Sequence, residues 1–134
     1  MSEEKAVFAA FVVVRAEGGF AATTRAADRG ESGIGLPGGK LDPGESPVAA
    51  VIREAAEEGW LVSTVDPVPI QALLVEGRLV LWFTATTAVR LSVYKERGRI
   101  TPVVATFGQI LSSGYGNEHL ESKIADLSCK NWDI

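Results

Sequence analysis

The chain has 134 residues, 46% of them apolar, and a net charge of −4. That is enough apolar material for one globular domain with a proper core, and the domain is expected to span residues 1–134. The acidic balance argues against an extended nucleic-acid surface, which would be basic, but not against a small phosphorylated ligand held through a metal ion. The single cysteine, Cys129, cannot form an intrachain disulfide, so the fold does not depend on an oxidising compartment. No uncharged apolar segment of membrane-spanning length is visible, and the first residues, Met-Ser-Glu-Glu-Lys, are acidic rather than signal-like. A cytoplasmic protein with no membrane partner is the expectation.

In chain order, Ala6 to Val14 is almost wholly apolar and rich in β-branched residues, which predicts a strand buried on both faces. Glu17-Gly18-Gly19 signals a turn, and Phe20 to Arg25 reads as a second strand forming a hairpin with the first. Ala26 to Ser32 is a polar loop. Residues 34 to 61 then carry the most informative pattern. A short apolar run ends in Pro37-Gly38-Gly39, and a tight loop holds Asp42-Pro43-Gly44. Ser46 can cap a helix with Pro47 at its first position, and Gly59 can end it. Val48, Val51, Ile52 and Ala55 supply an apolar side that docks on a sheet.

Glu54, Glu57 and Glu58 stand three and four residues apart, so all three share one helical face. Three carboxylates on one face repel, and a hard divalent cation is the natural relief. Arg53 lies off that face and can pair with Glu57 or reach back to Glu45. By themselves the three acids fit a solvated helix surface equally well. Gly38 and Gly39 add a backbone that a ligand can approach closely and carbonyls that can join a metal's ligand set.

Beyond the helix, Leu61 to Val65 forms a brief strand stopped by Asp66-Pro67. Ile70 to Val75 and Leu79 to Val89 pair as a hairpin across Glu76-Gly77-Arg78. Leu91 to Tyr94 extends the sheet or begins a loop, and Lys95 to Arg99 is a charged turn. Ile100 to Ala105 is one more strand, with Pro102 pointing to an edge or bulge. Thr106 caps a short helix, and Asn117 caps a final one with Leu120, Ile124 and Leu127 as its apolar stripe.

The stretch from Gly39 to Leu61 resembles the Nudix box, Gly-x5-Glu-x7-Arg-Glu-U-x-Glu-Glu-x-Gly-U, where U is apolar. Gly39, Glu45, Arg53, Glu54, Glu57 and Glu58 stand at their places, and Ala55 and Leu61 take the apolar positions. One residue departs: Trp60 holds the position of the box glycine, and Gly59 comes one place early.

The resemblance implies an α/β fold, the Nudix-type α/β/α sandwich with a mixed β-sheet. It implies hydrolysis of a pyrophosphate linkage in a nucleoside diphosphate joined to a further moiety: a nucleoside triphosphate, an ADP-ribose-like compound or a dinucleoside polyphosphate. It implies Mg²⁺, with Mn²⁺ able to substitute, on Glu54, Glu57, Glu58 and the Gly39 backbone. Arg53 then serves the catalytic centre. The general base is Glu54 or a glutamate from a later loop, for which Glu118 is the candidate. Gly38, Gly39, Lys40 and Arg25 are the candidate substrate contacts. Trp82, Phe83, Tyr94, Phe20 and Tyr115 are the aromatic candidates for stacking. His119, the single histidine, reads as a helix-surface residue and Trp60 as an apolar anchor. The family also makes a homodimer an expectation. The competing reading is a non-catalytic module that senses a nucleotide or binds a protein partner.

Overall fold

Side-chain alternation in the first strand sets the layering. The computed structural model describes residues 6–25, 33–113 and 117–120. In it the N-terminal apolar run is β1 (Val7–Val13). Ala9 and Val13 enter one buried cluster, while Ala10, Val12 and the following Val14 enter another. A period of two sends alternate residues to opposite faces, so a strand apolar throughout needs a packed layer on each side.

The strands form two sheets. The first is mixed. β1 pairs antiparallel with β5 (Gly38–Lys40) and parallel with β8 (Arg78–Arg90). β8 in turn pairs antiparallel with β6 (Trp60–Val65) and β7 (Gln71–Val75). The second sheet is built on β3 (Gly19–Arg25), which pairs with β2 (Arg15–Ala16), β4 (Ile34–Gly35) and β9 (Ile100–Ala105). β9 runs antiparallel along β3 from Phe20 opposite Ala105 to Arg25 opposite Ile100. Among the described residues it pairs with β3 alone, so Pro102 sits in a strand that can do without its N–H.

The expected hairpin between the first two strands is corrected here. Only Arg15 and Ala16 pair with Gly19 and Phe20. Both sides of β1 are occupied by β5 and β8, so the chain changes sheets at Val14 before it turns. The β7–β8 hairpin forms as expected. Its turn residues Glu76 and Gly77 have φ of 52° and 80°, the left-handed pair of a tight hairpin turn.

Helix α1 (Pro47–Glu57) covers the second cluster, where Val51 and Ala55 meet Trp60, Val62 and Phe83. Val48 is half-buried against it, but Ile52 is exposed and does not join the docking side. Helix α2 (Phe107–Leu111) and the 3-10 helix Asn117–Leu120 cover the first cluster through Ile110 and Leu120. Layers on both sides of the strands give the α/β/α arrangement of a single α/β domain. Thr106 caps α2 with a full capping box to Gln109. Leu91 to Tyr94 adds no strand. The loop at 26–32, Tyr115, Ile124 and Leu127 lie outside the described residues. Among the described residues, no helix is long and apolar enough to cross a membrane.

Candidate active site

α1 begins where the sequence places it. Ser46 is the N-cap, and its Oγ accepts from the Ala49 N–H at 3.1 Å. Glu58 closes the helix, and Gly59 follows with φ of 105°. A Cβ at Gly59 would lie 2.7 Å from Pro102 Cγ. Backbone conformation and the packing of β9 both require glycine there.

Arg53 makes both of the expected pairings, to Glu57 and back to Glu45, and adds one to Glu54. Its Nε and Nη2 donate to the two oxygens of Glu45 at 2.8 and 2.9 Å. Nη2 also donates to the Lys40 carbonyl at 3.1 Å. Nη1 donates to Glu54 at 3.2 Å and to Glu57 at 3.1 Å. One planar fork thus ties the loop, β5 and the helix together, which a point charge could not do. The hydrogen bonds from Arg53 and from the Asp42 N–H hold Glu45 down to a pKa of about 2. The same Glu45 partnership raises the Arg53 pKa above its ordinary value.

β5 packs against the carboxylates. Gly38 and Gly39 belong to this strand. The Gly38 N–H donates to Glu58 Oε1 at 3.1 Å. A Cβ on Gly39 would lie 2.7 Å from Glu54 Oε1, so the approach of strand and helix leaves no room for a side chain. Burial raises the Glu54 pKa, with the Glu57 and Asp42 charges adding to it and Arg53 opposing. Burial pushes Glu58 up to about 8, opposed by the Gly38 N–H and by Arg25 and reinforced by Glu54 and Glu96. Arg53 neutralises part of the charge on Glu54 and Glu57, while Glu58 is buried and receives one backbone N–H. Hard oxygen donors of this kind fit a divalent cation, and the close pass of Gly39 brings backbone beside them. Among the described residues, no group of three or more histidine, cysteine, aspartate or glutamate side chains is arranged to hold a metal ion.

A cavity of about 570 Å³ opens beside this centre. Gly38, Gly39, Lys40, Glu58 and Arg25 all line it, so it unites the expected substrate contacts with one of the carboxylates. Asn117 also lines it, with Oδ1 accepting from Trp82 Nε1 at 2.9 Å and Nδ2 donating to Ser113 Oγ at 2.9 Å.

The aromatic expectations fare differently. Trp82, Phe83 and Phe20 are buried in the core, and the Tyr94 hydroxyl donates to the Ile100 carbonyl at 3.0 Å. The aromatics that do line the cavity are Phe8 and Phe11. Sequence reasoning missed them because an unbroken apolar run does not say which residues face an opening. Trp60 is fully buried, and its Nε1 donates to the Ala22 carbonyl at 2.8 Å. His119 is exposed. Glu118 lies in the 3-10 helix, but its side chain is outside the description. Glu96 was also missed. Its N–H donates to the Glu57 carbonyl at 2.8 Å, which brings its charge near Glu58. Its signal in the sequence was only its place in the charged turn after β8.

A Gly-lined strand is thus set against a helix of clustered carboxylates, beside an open cavity, in an α/β/α sandwich. Residues 5–101 match the family described as NUDIX domain. The chain belongs to the Nudix family, as an enzyme of its pyrophosphohydrolase class, and such enzymes generally use divalent metals. No curated protein sequence matches it significantly.

Several solved structures share the fold. One described as an ADP compounds hydrolase has a TM-score of 0.69 at 17% identity, over 92% of this chain and 74% of that one. The E. coli ORF135 protein has 0.66 at 18%, over 95% and 94%. A MutT Nudix hydrolase from Burkholderia pseudomallei has 0.67 at 17%, over 91% and 99%.

Proposed function

We propose that the protein hydrolyses, with Mg²⁺, a pyrophosphate linkage in a nucleoside diphosphate joined to a further moiety. The observation that carries this reading is the meeting of Glu54, Glu58 and the Gly38–Gly39 strand at the edge of a cavity that also receives Arg25 and Lys40. Negative charge on a pyrophosphate repels a nucleophile. A bound divalent ion would neutralise that charge and acidify a water.

The chain's own residues supply the rest. Glu54, Glu57, Glu58 and the Gly39 carbonyl are the proposed metal ligands. Arg53 fixes Glu54 and Glu57 through its paired N–H groups and so orients the carboxylates without touching substrate. Lys40 and Arg25 bind phosphate oxygens, and the Gly38–Gly39 backbone lets the chain pass close. Glu54, where the strand and the helix meet most closely, is the proposed general base. Glu118 and Glu96 are the loop alternatives. The substrate is a nucleoside triphosphate, an ADP-ribose-like compound or a dinucleoside polyphosphate. The likeness to a structure described as an ADP compounds hydrolase keeps the second in view.

The test is phosphate and pyrophosphate release with Mg²⁺ across triphosphates, ADP-ribose, nucleotide sugars and diadenosine polyphosphates, with Glu57→Gln in parallel. Turnover on at least one compound, abolished by Glu57→Gln in a folded protein, is the expected result. A fully active Glu57→Gln enzyme would refute the ligand assignment.

A further inference from the structure

The loop after β8 brings a cation to the carboxylates. The Leu91 N–H donates to the Gly59 carbonyl at 2.9 Å, and the Glu96 N–H donates to the Glu57 carbonyl at 2.8 Å. The turn then closes on itself, with the Arg99 and Ile100 N–H groups donating to the Glu96 carbonyl at 2.9 and 3.0 Å. Its neighbour's backbone therefore holds Lys95 at the last turn of α1. The Lys95 ammonium lies 3.9 Å from Glu57 Oε2.

That separation is too long for a hydrogen bond. The Lys95 side chain is 71% exposed, and an exposed pair at this range contributes little to stability. What sets Lys95 apart from an ordinary surface charge is where its backbone is fixed and what its fellow cations are doing. Arg53 has five N–H donors. All five are taken, by Glu45 twice, the Lys40 carbonyl, Glu54 and Glu57. Gly39 turns its Cβ position toward Glu54. Strand alternation sends the next side chain, Lys40, to the other face, where its ammonium lies 5.6 Å from the Phe8 ring centroid. Glu96, the acid beside Lys95, is paired with Arg99 at 2.7 Å.

A phosphate chain brought to these carboxylates sets negative charge against negative charge. A divalent ion relieves part of it, and the remaining phosphate oxygens need donors that are not already committed. A lysine suits that task, with a compact charge and rotatable N–H groups on a flexible stem.

We propose that Lys95 is a substrate contact: its ammonium rests against Glu57 in the free protein and moves onto a non-bridging oxygen of the phosphate chain when substrate binds. This rests on the pyrophosphohydrolase reading and adds to it a residue outside the box. Neither Lys95 nor Glu57 lines the cavity. The contact therefore falls on the phosphates at the carboxylates and not on the group that the cavity receives.

The experiment uses Lys95→Met and Lys95→Arg in the full chain. Mn²⁺ binding to the substrate-free protein is measured by electron paramagnetic resonance. Binding of imidodiphosphate, a pyrophosphate analogue that resists hydrolysis, is measured by calorimetry with the analogue added as its Mg²⁺ complex. KM and kcat are taken on the compound that wild type turns over. Lys95→Met is expected to bind Mn²⁺ about 2–3-fold more tightly, because a cation beside Glu57 is gone. It is expected to bind imidodiphosphate about 5–10-fold more weakly and to raise KM by a similar factor, with a smaller change in kcat. Lys95→Arg keeps the charge and should bring both affinities back toward wild type. The opposed shifts are the signature: damage to the loop would weaken both ligands, and a bare surface pair would leave imidodiphosphate unchanged. Either of those results overturns the proposal, as does a wild-type protein that binds no imidodiphosphate. Should wild type turn over no compound, the pyrophosphohydrolase reading fails, while the imidodiphosphate comparison still decides the contact.

Discussion

Replacing Gly39 by alanine should remove activity while leaving the fold nearly untouched. The added Cβ would lie 2.7 Å from Glu54 Cδ and from Oε1, where ordinary contact begins at 3.4 Å. The overlap is about 0.7 Å, the difference of those two distances. Gly39 has no positive φ, so alanine is not strained there. The group that must yield is the end of a flexible side chain, which costs little stability. Catalysis is less forgiving, since a misplacement of about 1 Å in a reacting group can cost roughly 10²-fold. A kcat loss of about 10–100-fold is expected, or about 1.4–2.7 kcal/mol in the barrier.

Gly44→Ala is the control. Gly44 has φ of 80° and nothing within 4 Å of its Cβ. Alanine there should lower stability by about 1 kcal/mol through backbone strain and leave kcat alone. Steady-state kinetics and thermal melts on both variants decide the matter. A Gly39→Ala enzyme with wild-type kcat would refute the claim that the strand–helix approach sets Glu54.

Arg53→Lys should fail to rescue the hub, because one ammonium cannot span Glu45, Glu54, Glu57 and the Lys40 carbonyl. A loss of about 1–3 kcal/mol in denaturant titration and a large fall in kcat are expected; unchanged stability would show the network to be idle. The metal-free protein should lose stability as pH rises. Glu58 has a pKa of about 8 when folded against an ordinary 4.5. Its contribution is therefore complete below pH 4.5 and is lost as pH rises through 8. Glu58→Gln should flatten the fall in melting temperature between those limits, and a slope identical to wild type would contradict the burial of this carboxylate.

The helix of the site was legible because its determinants are local. Ser46 and Pro47 start it, Val51 and Ala55 give it a docking side, and the acids follow at helical spacing. What escaped was set by contacts distant in sequence. Glu96 reaches the site only because the loop after β8 folds onto the end of α1, where its N–H meets Glu57. Phe8 and Phe11 flank Ala9 and Ala10 in a run that is apolar on both faces, so nothing local separates cavity wall from core. The hairpin error has the same origin. Glu17 and Gly18 do form a turn, but β1 is claimed by β5 and β8, whose pairing a turn signal does not reveal. The Gly38–Gly39 segment was not legible as a strand because glycine disfavours strands. Here the strand tolerates it because the closeness of Glu54 and of the β1 backbone leaves no room for anything larger.

Trp60, the departure from the box, follows from the same packing logic. The turn after α1 needs one residue that can be left-handed and pass Pro102 without a side chain. Gly59 satisfies both conditions, which frees the next position. Trp60 uses that freedom to enter the second cluster fully buried, with its indole N–H satisfied by the Ala22 carbonyl on β3. The Arg90 guanidinium lies 5.2 Å from the indole and is itself held by Glu17 at 2.8 Å and by the Pro102 carbonyl. β3 continues from Ala22 to Arg25, and α1 ends at Glu58, two residues before Trp60. The substitution therefore links the strand that carries a candidate phosphate contact to the helix end that carries a candidate metal ligand. A glycine at position 60 could not make that connection, so the altered position helps to hold the site together.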